Sequence, residues 1–373
     1  MRKTEPSRIR EKNETAFGIR SKMKKLLINL SLSLSVLLVL SVLTEGGLRA
    51  YAKVAASDIC GFANFQNERI GSVFQFASNG LGLELKPGGK GSLAYKSITI
   101  NQDGLREDAD YSLAKPANTF RVAVIGDSVT FGWGVDAKDS YPKLLEMILK
   151  KTTDKNIEVL NFGVPGYNGE QKLIVLKEKV LKYDPDLVVI GWLNDDDNPP
   201  AYLTGIPFIP YPLLNFLNSH SYFFSCIREN IVKKAIQADI APLRARYHEG
   251  APGWTETKTL FKEIAEVSAE KKVPVVIAVL PIWQTREENE SDGIGEVNNA
   301  IEKIALDNNL RAVDLLPRIY PIEYSQYYIV TKGDVAHPDS RGHFIIAVEL
   351  YNFLARSGLI PWPVRTIDSV KFR

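Results

Sequence analysis

The stretch Arg121 to Val135, RVAVIGDSVTFGWGV, decides how this chain is read. Arg121 to Ile125 is apolar after its first residue, rich in valine and isoleucine, and followed at once by glycine and polar residues. A run of that kind reads as a strand covered on both faces, the usual state of strands in parallel sheets. Four more runs share its texture: Ile157 to Phe162, Leu187 to Ile190, Val273 to Val279 and Arg311 to Val313. Helical stripes lie between and after them: Leu144, Leu145 and Ile148; Leu173, Leu176 and Val180; and Phe344, Val348 and Tyr351, with Gly358 as a cap. Strands alternating with helices predict a three-layer α/β/α domain around a five-stranded parallel sheet.

That domain is expected over residues 120–360. Within it, residues 199–254 break the alternation with Pro199, Pro200, Pro207, Pro210 and Pro212 and with aromatic residues from Tyr202 to Phe224, which reads as an insertion over the sheet edge. Its aromatics fit either a lid or acyl-chain pocket, or simple apolar attachment to the parent domain. Residues 44–119 hold no long amphipathic pattern but short alternating runs, such as Leu81 to Leu85 and Ser97 to Ile100, punctuated by glycine. They read as a small β-rich collar. Residues 361–373 are a C-terminal tail.

Leu26 to Leu43 (LLINLSLSLSVLLVLSVL) is 18 residues without a charge, close to the roughly 20 that cross a bilayer as a helix. Arg20, Lys22, Lys24 and Lys25 precede it, so the positive-inside bias leaves residues 1–25 in the cytoplasm and everything after the span outside, periplasmic or extracellular. A cleaved signal peptide is the alternative, with Ala50-Tyr51-Ala52 as a small-x-small site. Signal-peptide apolar cores run to about 7 to 15 residues, which favours the anchor. Cys60 has no small residue before it of the kind a lipoprotein site needs.

With 45% hydrophobic and 24% charged residues, composition excludes wholesale disorder and polytopic membrane topology. The net charge of +2 hides a basic first 25 residues, with the remainder mildly acidic, so nucleic acid is not an expected partner. Two cysteines, Cys60 and Cys226, either pair or stay as free thiols; they do not make a zinc site. No cofactor is expected, since G-x-G-x-x-G and the P-loop are both absent. No metal is expected either, and Asp195-Asp196-Asp197 reads as a solvated turn.

The chemistry-bearing residues cluster at strand ends. Ser128, in Gly126-Asp127-Ser128, follows the first strand directly, where open α/β sheets place their ligands. Asn161-Phe162-Gly163-Val164-Pro165-Gly166 ends the second strand, and Gly191-Trp192-Leu193-Asn194 ends the third. Asp334-Val335-Ala336-His337 precedes the last helical stripe and offers a base with a carboxylate near it. Taken singly each is bland: a serine after a strand caps helices, Gly163 makes a tight turn, Asn194 closes an Asx-turn.

As a set and in this order, over roughly residues 120–359, they resemble the SGNH, or GDSL, hydrolase family. Gly126 to Val135 is close to its first block, with Val129 where the family name has leucine. Two residues separate Gly191 from Asn194 where the family pattern usually has one. The resemblance implies a flavodoxin-like SGNH fold and serine ester hydrolysis through an acyl-enzyme. It makes Ser128 the nucleophile, His337 the base and Asp334 its orienting carboxylate. The Ser128 N–H, the Gly163 N–H and the Asn194 amide would form the oxyanion hole. The classical α/β-hydrolase elbow, G-x-S-x-G, fits less well because Thr130 holds its last place.

Outside a membrane such an enzyme meets acylated glycans and lipids, and acetyl groups on cell-envelope carbohydrate are the first-choice substrate. An acyltransferase using the same triad, a lysophospholipase-like lipid esterase and a non-catalytic envelope binding module are the alternatives. Neither oligomeric state nor acyl length is written in any motif.

Overall fold

A computed structural model of the protein describes residues 23–25, 28–33, 35–50, 73–77, 79–94, 96–194, 196, 197, 221, 243–283, 285–319 and 335–368. Asp334, Asp195, Cys60, Cys226 and most of the expected insertion lie outside the described residues. Residues 1–63 with 212–231 form one compact unit, and residues 64–211 with 232–373 form a second.

In the first unit a 28-residue helix, Met23–Ala50, is long and apolar enough to cross a membrane. At 1.5 Å per residue it spans about 42 Å. Three of its hydroxyls bond back along the helix: Ser35 Oγ donates to Ser31 O at 2.9 Å, and Ser41 Oγ and Thr44 Oγ1 each donate at 2.8 Å to the carbonyl four residues earlier. In an apolar medium that arrangement satisfies a polar group that would otherwise be costly to bury. Ser221, from the expected insertion, donates to Glu45 at 2.9 Å within this unit.

The second unit is built on five parallel strands, β5 (Thr119–Gly126), β6 (Asn156–Gly163), β7 (Leu187–Trp192), β8 (Val275–Val279) and β9 (Arg311–Asp314), in the order β6-β5-β7-β8-β9. All five sequence runs are therefore strands of one sheet. Period-two alternation sorts their side chains between two cores. Ala123, Ile125, Val188, Ile190 and Ile277 join Leu173 and Leu176 of helix Gly169–Glu178, Phe261 of helix Pro252–Lys271 and Ile301 of helix Ile294–Asp307. Val122, Val124, Val189 and Val276 join Leu145 of helix Tyr141–Lys150 and Val348 of helix Ser340–Arg356. That last helix ends in a Schellman-type cap at Gly358 (φ +66°), with the Leu359 N–H donating to Leu354 O at 3.0 Å.

The segment read as a collar contributes two antiparallel hairpins, β1 (Phe74–Ala77) with β2 (Gly82–Leu85) and β3 (Lys90–Leu93) with β4 (Lys96–Thr99). Leu81, Leu85, Leu93 and Ile98 share the first of the two cores, so these hairpins are packed into the α/β unit. Tyr167 Oη and Gln171 Nε2 each donate at 2.7 Å to a carbonyl of this segment, Leu83 O and Leu81 O. The expected insertion ends inside helix Pro252–Lys271, whose proline at the first turn suits a helix start.

The order of the sheet fixes where a site can form. β5 leads outward to β6 on one side and to β7 on the other, so the carboxyl ends of these three strands flank the topological switch point where open sheets leave a crevice.

Candidate active site

β5 ends at Gly126, and the chain turns directly into a one-turn helix, Ser128–Phe131. Asp127 is its N-cap and accepts the Val129 N–H at 2.8 Å. Ser128, at the first helical position, is therefore lifted off the sheet with its own N–H among those a helix start leaves unpaired within the helix. The His337 ring arrives from the segment before helix Ser340–Arg356 and sets Nε2 2.7 Å from Ser128 Oγ. A donor–acceptor distance of that size allows direct proton transfer between the two. Val335 O accepts the Trp283 N–H at 2.7 Å, which pins this segment to the loop after β8. The half-buried Trp133 ring lies beside His337 with centroids 5.9 Å apart.

Asn194 follows β7 and is 6% exposed, with no hydrogen-bond partner for its side chain among the described residues. A side-chain amide with no partner in the protein can bond a polar group placed against it. Asp334 lies outside the described residues.

Gly163 behaves differently from the sequence reading. Its N–H donates to Asn161 Oδ1 at 2.9 Å, while Asn161 Nδ2 donates to Thr130 O at 2.9 Å. That N–H is therefore committed to Asn161, where the sequence reading has it facing an oxyanion. What requires glycine is proximity: a Cβ on Gly163 would stand 2.3 Å from the Phe131 nitrogen and 2.6 Å from the Thr130 carbonyl carbon. Gly126 and Gly191 are constrained in the same way by Thr130 Oγ1, which pairs with Tyr141 Oη at 2.8 Å. Three strand ends thus close on one threonine beneath the serine turn. In the loop after β6, Gly166 has φ +81° and an N–H with no acceptor among the described residues.

Two supports were missed in the sequence. Arg106, from the segment expected to be a collar, is 1% exposed and donates to Phe131 O at 2.9 Å, Gly132 O at 2.5 Å and Val135 O at 2.6 Å. Its cation sits where the serine helix ends, the favourable end of the helix dipole, and burial brings its pKa down to about 10. Asp196 and Asp197 are buried as well, not solvated: Asp196 pairs with the buried Lys172 and Asp197 with Arg246. Both signals were hidden because an Arg in a polar loop and a run of aspartates usually face water.

His343 is fully buried in helix Ser340–Arg356 behind the site. Its Nδ1 accepts the Tyr141 N–H at 3.2 Å, and its Nε2 has no partner among the described residues. Burial first, then the Arg106 cation and His337, push its pKa down to about 3. The folded protein holds this ring neutral, whereas the unfolded chain protonates it below a pKa of about 6.5. Its contribution to stability is thus complete above pH ~6.5 and is lost as the pH falls toward 3. By pH 5 the loss amounts to about 2 kcal/mol. Urea unfolding at pH 7.5 and pH 5 should show this loss in the wild type and not in His343→Gln; equal losses in both would contradict the assignment.

A family model described as GDSL-like lipase/acylhydrolase matches residues 124–345. Among solved structures, the acetylxylan esterase Axe2 from Geobacillus stearothermophilus is 16% identical, with 66% of this chain and 97% of that one covered at a TM-score of 0.40. The lipase/acylhydrolase from Enterococcus faecalis is 16% identical over 66% of this chain and 99% of that one, at a TM-score of 0.41. LAE5, an alpha/beta hydrolase enzyme from the metagenome of Lake Arreo, Spain, is 16% identical over 65% and 96%, at 0.43. No curated protein matches.

Proposed function

Since the chain belongs to the GDSL-like lipase/acylhydrolase family, whose model spans well over half of it, the protein is an ester hydrolase, and we propose that it works through an acyl-enzyme on Ser128. The observation that carries this reading is the 2.7 Å contact between His337 Nε2 and Ser128 Oγ.

In the proposed mechanism His337 takes the proton from Ser128 as Oγ attacks the ester carbonyl. The same imidazolium then returns that proton to the departing alcohol, and water repeats the sequence in reverse to release the acid. Asp334 is assigned the orienting carboxylate, which holds the His337 ring and stabilises its charged form. The oxyanion is assigned to the Ser128 N–H and the Asn194 amide. The third donor passes from Gly163 to Gly166, whose N–H is uncommitted among the described residues. Donors fixed before the reaction stabilise the developing charge without reorganising.

For substrate we favour small acyl groups, acetyl first, carried on carbohydrate. Trp133 offers an indole face beside the residue that would protonate the leaving group, a surface suited to the C–H face of a sugar ring. Helix Met23–Ala50 is assigned as a membrane anchor with the basic residues 1–25 in the cytoplasm and the α/β unit outside, which places cell-envelope glycans within reach. The full chain in detergent should hydrolyse p-nitrophenyl acetate with a higher kcat/KM than the butyryl and octanoyl esters. Preference for octanoyl would replace the carbohydrate reading with a lipid ester.

A further inference from the structure

We propose that Lys172 is a positioning residue that fastens the turn carrying Ser128 to the turn carrying Asn194. The inference rests on the roles given to Ser128 and Asn194 above. Lys172 lies in helix Gly169–Glu178, and its side chain is completely buried. Nζ is 3.1 Å from Asp127 Oδ2 and 2.9 Å from Gly191 O, and it also bonds Asp196 Oδ2. An ammonium has three protons to donate, and here all three have acceptors.

Each acceptor leads to a reacting part of the site. Asp127 is the residue before Ser128 and caps its helix through the other carboxylate oxygen. Asp196 accepts the Leu193 N–H at 2.9 Å, which fixes the backbone immediately before Asn194. Gly191 O belongs to the end of β7, where the Trp192 ring lies 5.5 Å beneath the same ammonium. The path Ser128, Asp127, Lys172, Asp196, Leu193, Asn194 thus joins the carboxyl ends of β5 and β7 through one cation.

Charge supplies a second argument. The buried Lys172 ammonium is bonded to both turns that carry the proposed oxyanion donors, and a positive charge held there favours a negative transition state. Burial works against an ammonium, but Asp127 and Asp196 outweigh it and its pKa is raised, so the cation persists. A neutral ester feels this field weakly, and an oxyanion feels it strongly. Lys172 is therefore expected to act on kcat and to leave KM nearly unchanged.

The test compares wild type, Asp196→Asn, Lys172→Met/Asp196→Asn and Ser128→Ala as full chains in detergent on p-nitrophenyl acetate, with active sites counted by fluorophosphonate titration. Lys172→Met alone would strand two buried carboxylates and risks unfolding; the paired change removes one of them. Misplacing a reacting group by about 1 Å can cost about a hundredfold, so the double variant should lose roughly tenfold to a hundredfold in kcat per active site, with KM within about twofold. Asp196→Asn, which can still accept the Leu193 N–H, should lose several-fold in kcat and decides the matter if the double variant does not fold. Wild-type kcat per active site in the folded variants, or a change confined to KM, overturns the role of Lys172 while an inactive Ser128→Ala leaves the nucleophile standing. Undiminished turnover in Ser128→Ala overturns both together.

Discussion

Ser128→Ala and His337→Ala should each lower kcat for p-nitrophenyl acetate by about 10⁴-fold or more, and the double variant should be no slower than either single one. The non-additivity follows from the 2.7 Å contact. Ser128 Oγ is a weak nucleophile unless a base removes its proton as it attacks, and His337 has nothing to activate once that oxygen is gone. Two groups that act as a unit lose the whole effect at the first deletion. Neither change empties a core position, since both residues are only partly buried, so the variants should fold as the wild type does. Steady-state rates for the four chains, with circular dichroism as a check on folding, measure the cycle. Losses that multiply would mean that the two residues act separately and that their proximity is incidental.

Asn194→Ala should cost a hundredfold to a thousandfold in kcat, about 2.7 to 4 kcal/mol of transition-state stabilisation, with little change in KM. Asn194 as a residue is 6% exposed and its amide has no partner among the described residues, so no bond to them is lost when it is removed. A residue kept for packing would show the reverse pattern: a lowered melting temperature and an unchanged rate per folded molecule. The two readings therefore separate cleanly when rates and melting curves are taken on the same preparation. Full activity in Asn194→Ala would remove the amide from the oxyanion site.

Much of this architecture is legible in the sequence because two-sided burial leaves a continuous apolar run. Each of the five runs, from Arg121–Ile125 to Arg311–Val313, is a strand of the sheet. Ser128 and His337 are legible for a different reason: a serine straight after a buried strand and a histidine just before the last helix gain meaning from each other, and from the strand-end motifs that lie between them in the right order. What stays hidden depends on tertiary proximity. Gly163 reads as an N–H donor, but Asn161, two residues earlier on the same strand end, consumes that proton. Arg106 sits in a glycine-punctuated segment where nothing local indicates that it reaches the carbonyls of Phe131 and Val135. Lys172 does leave a trace. It lies four residues before Leu176, on the buried side of its helix, where a lone lysine needs partners that only the folded chain supplies. Asp196 and Asp197 are those partners for Lys172 and Arg246, which is why their run is not a solvated turn.

The assignment of Ser128 as the attacking residue can be read from a single adduct. Full-length protein in detergent, treated with a fluorophosphonate and digested, should carry one phosphonyl group on the peptide containing Ser128, and Ser128→Ala should remain unlabelled. Labelling of Ser128→Ala, an adduct on another serine, or no adduct on folded wild-type protein would contradict a covalent mechanism at this residue.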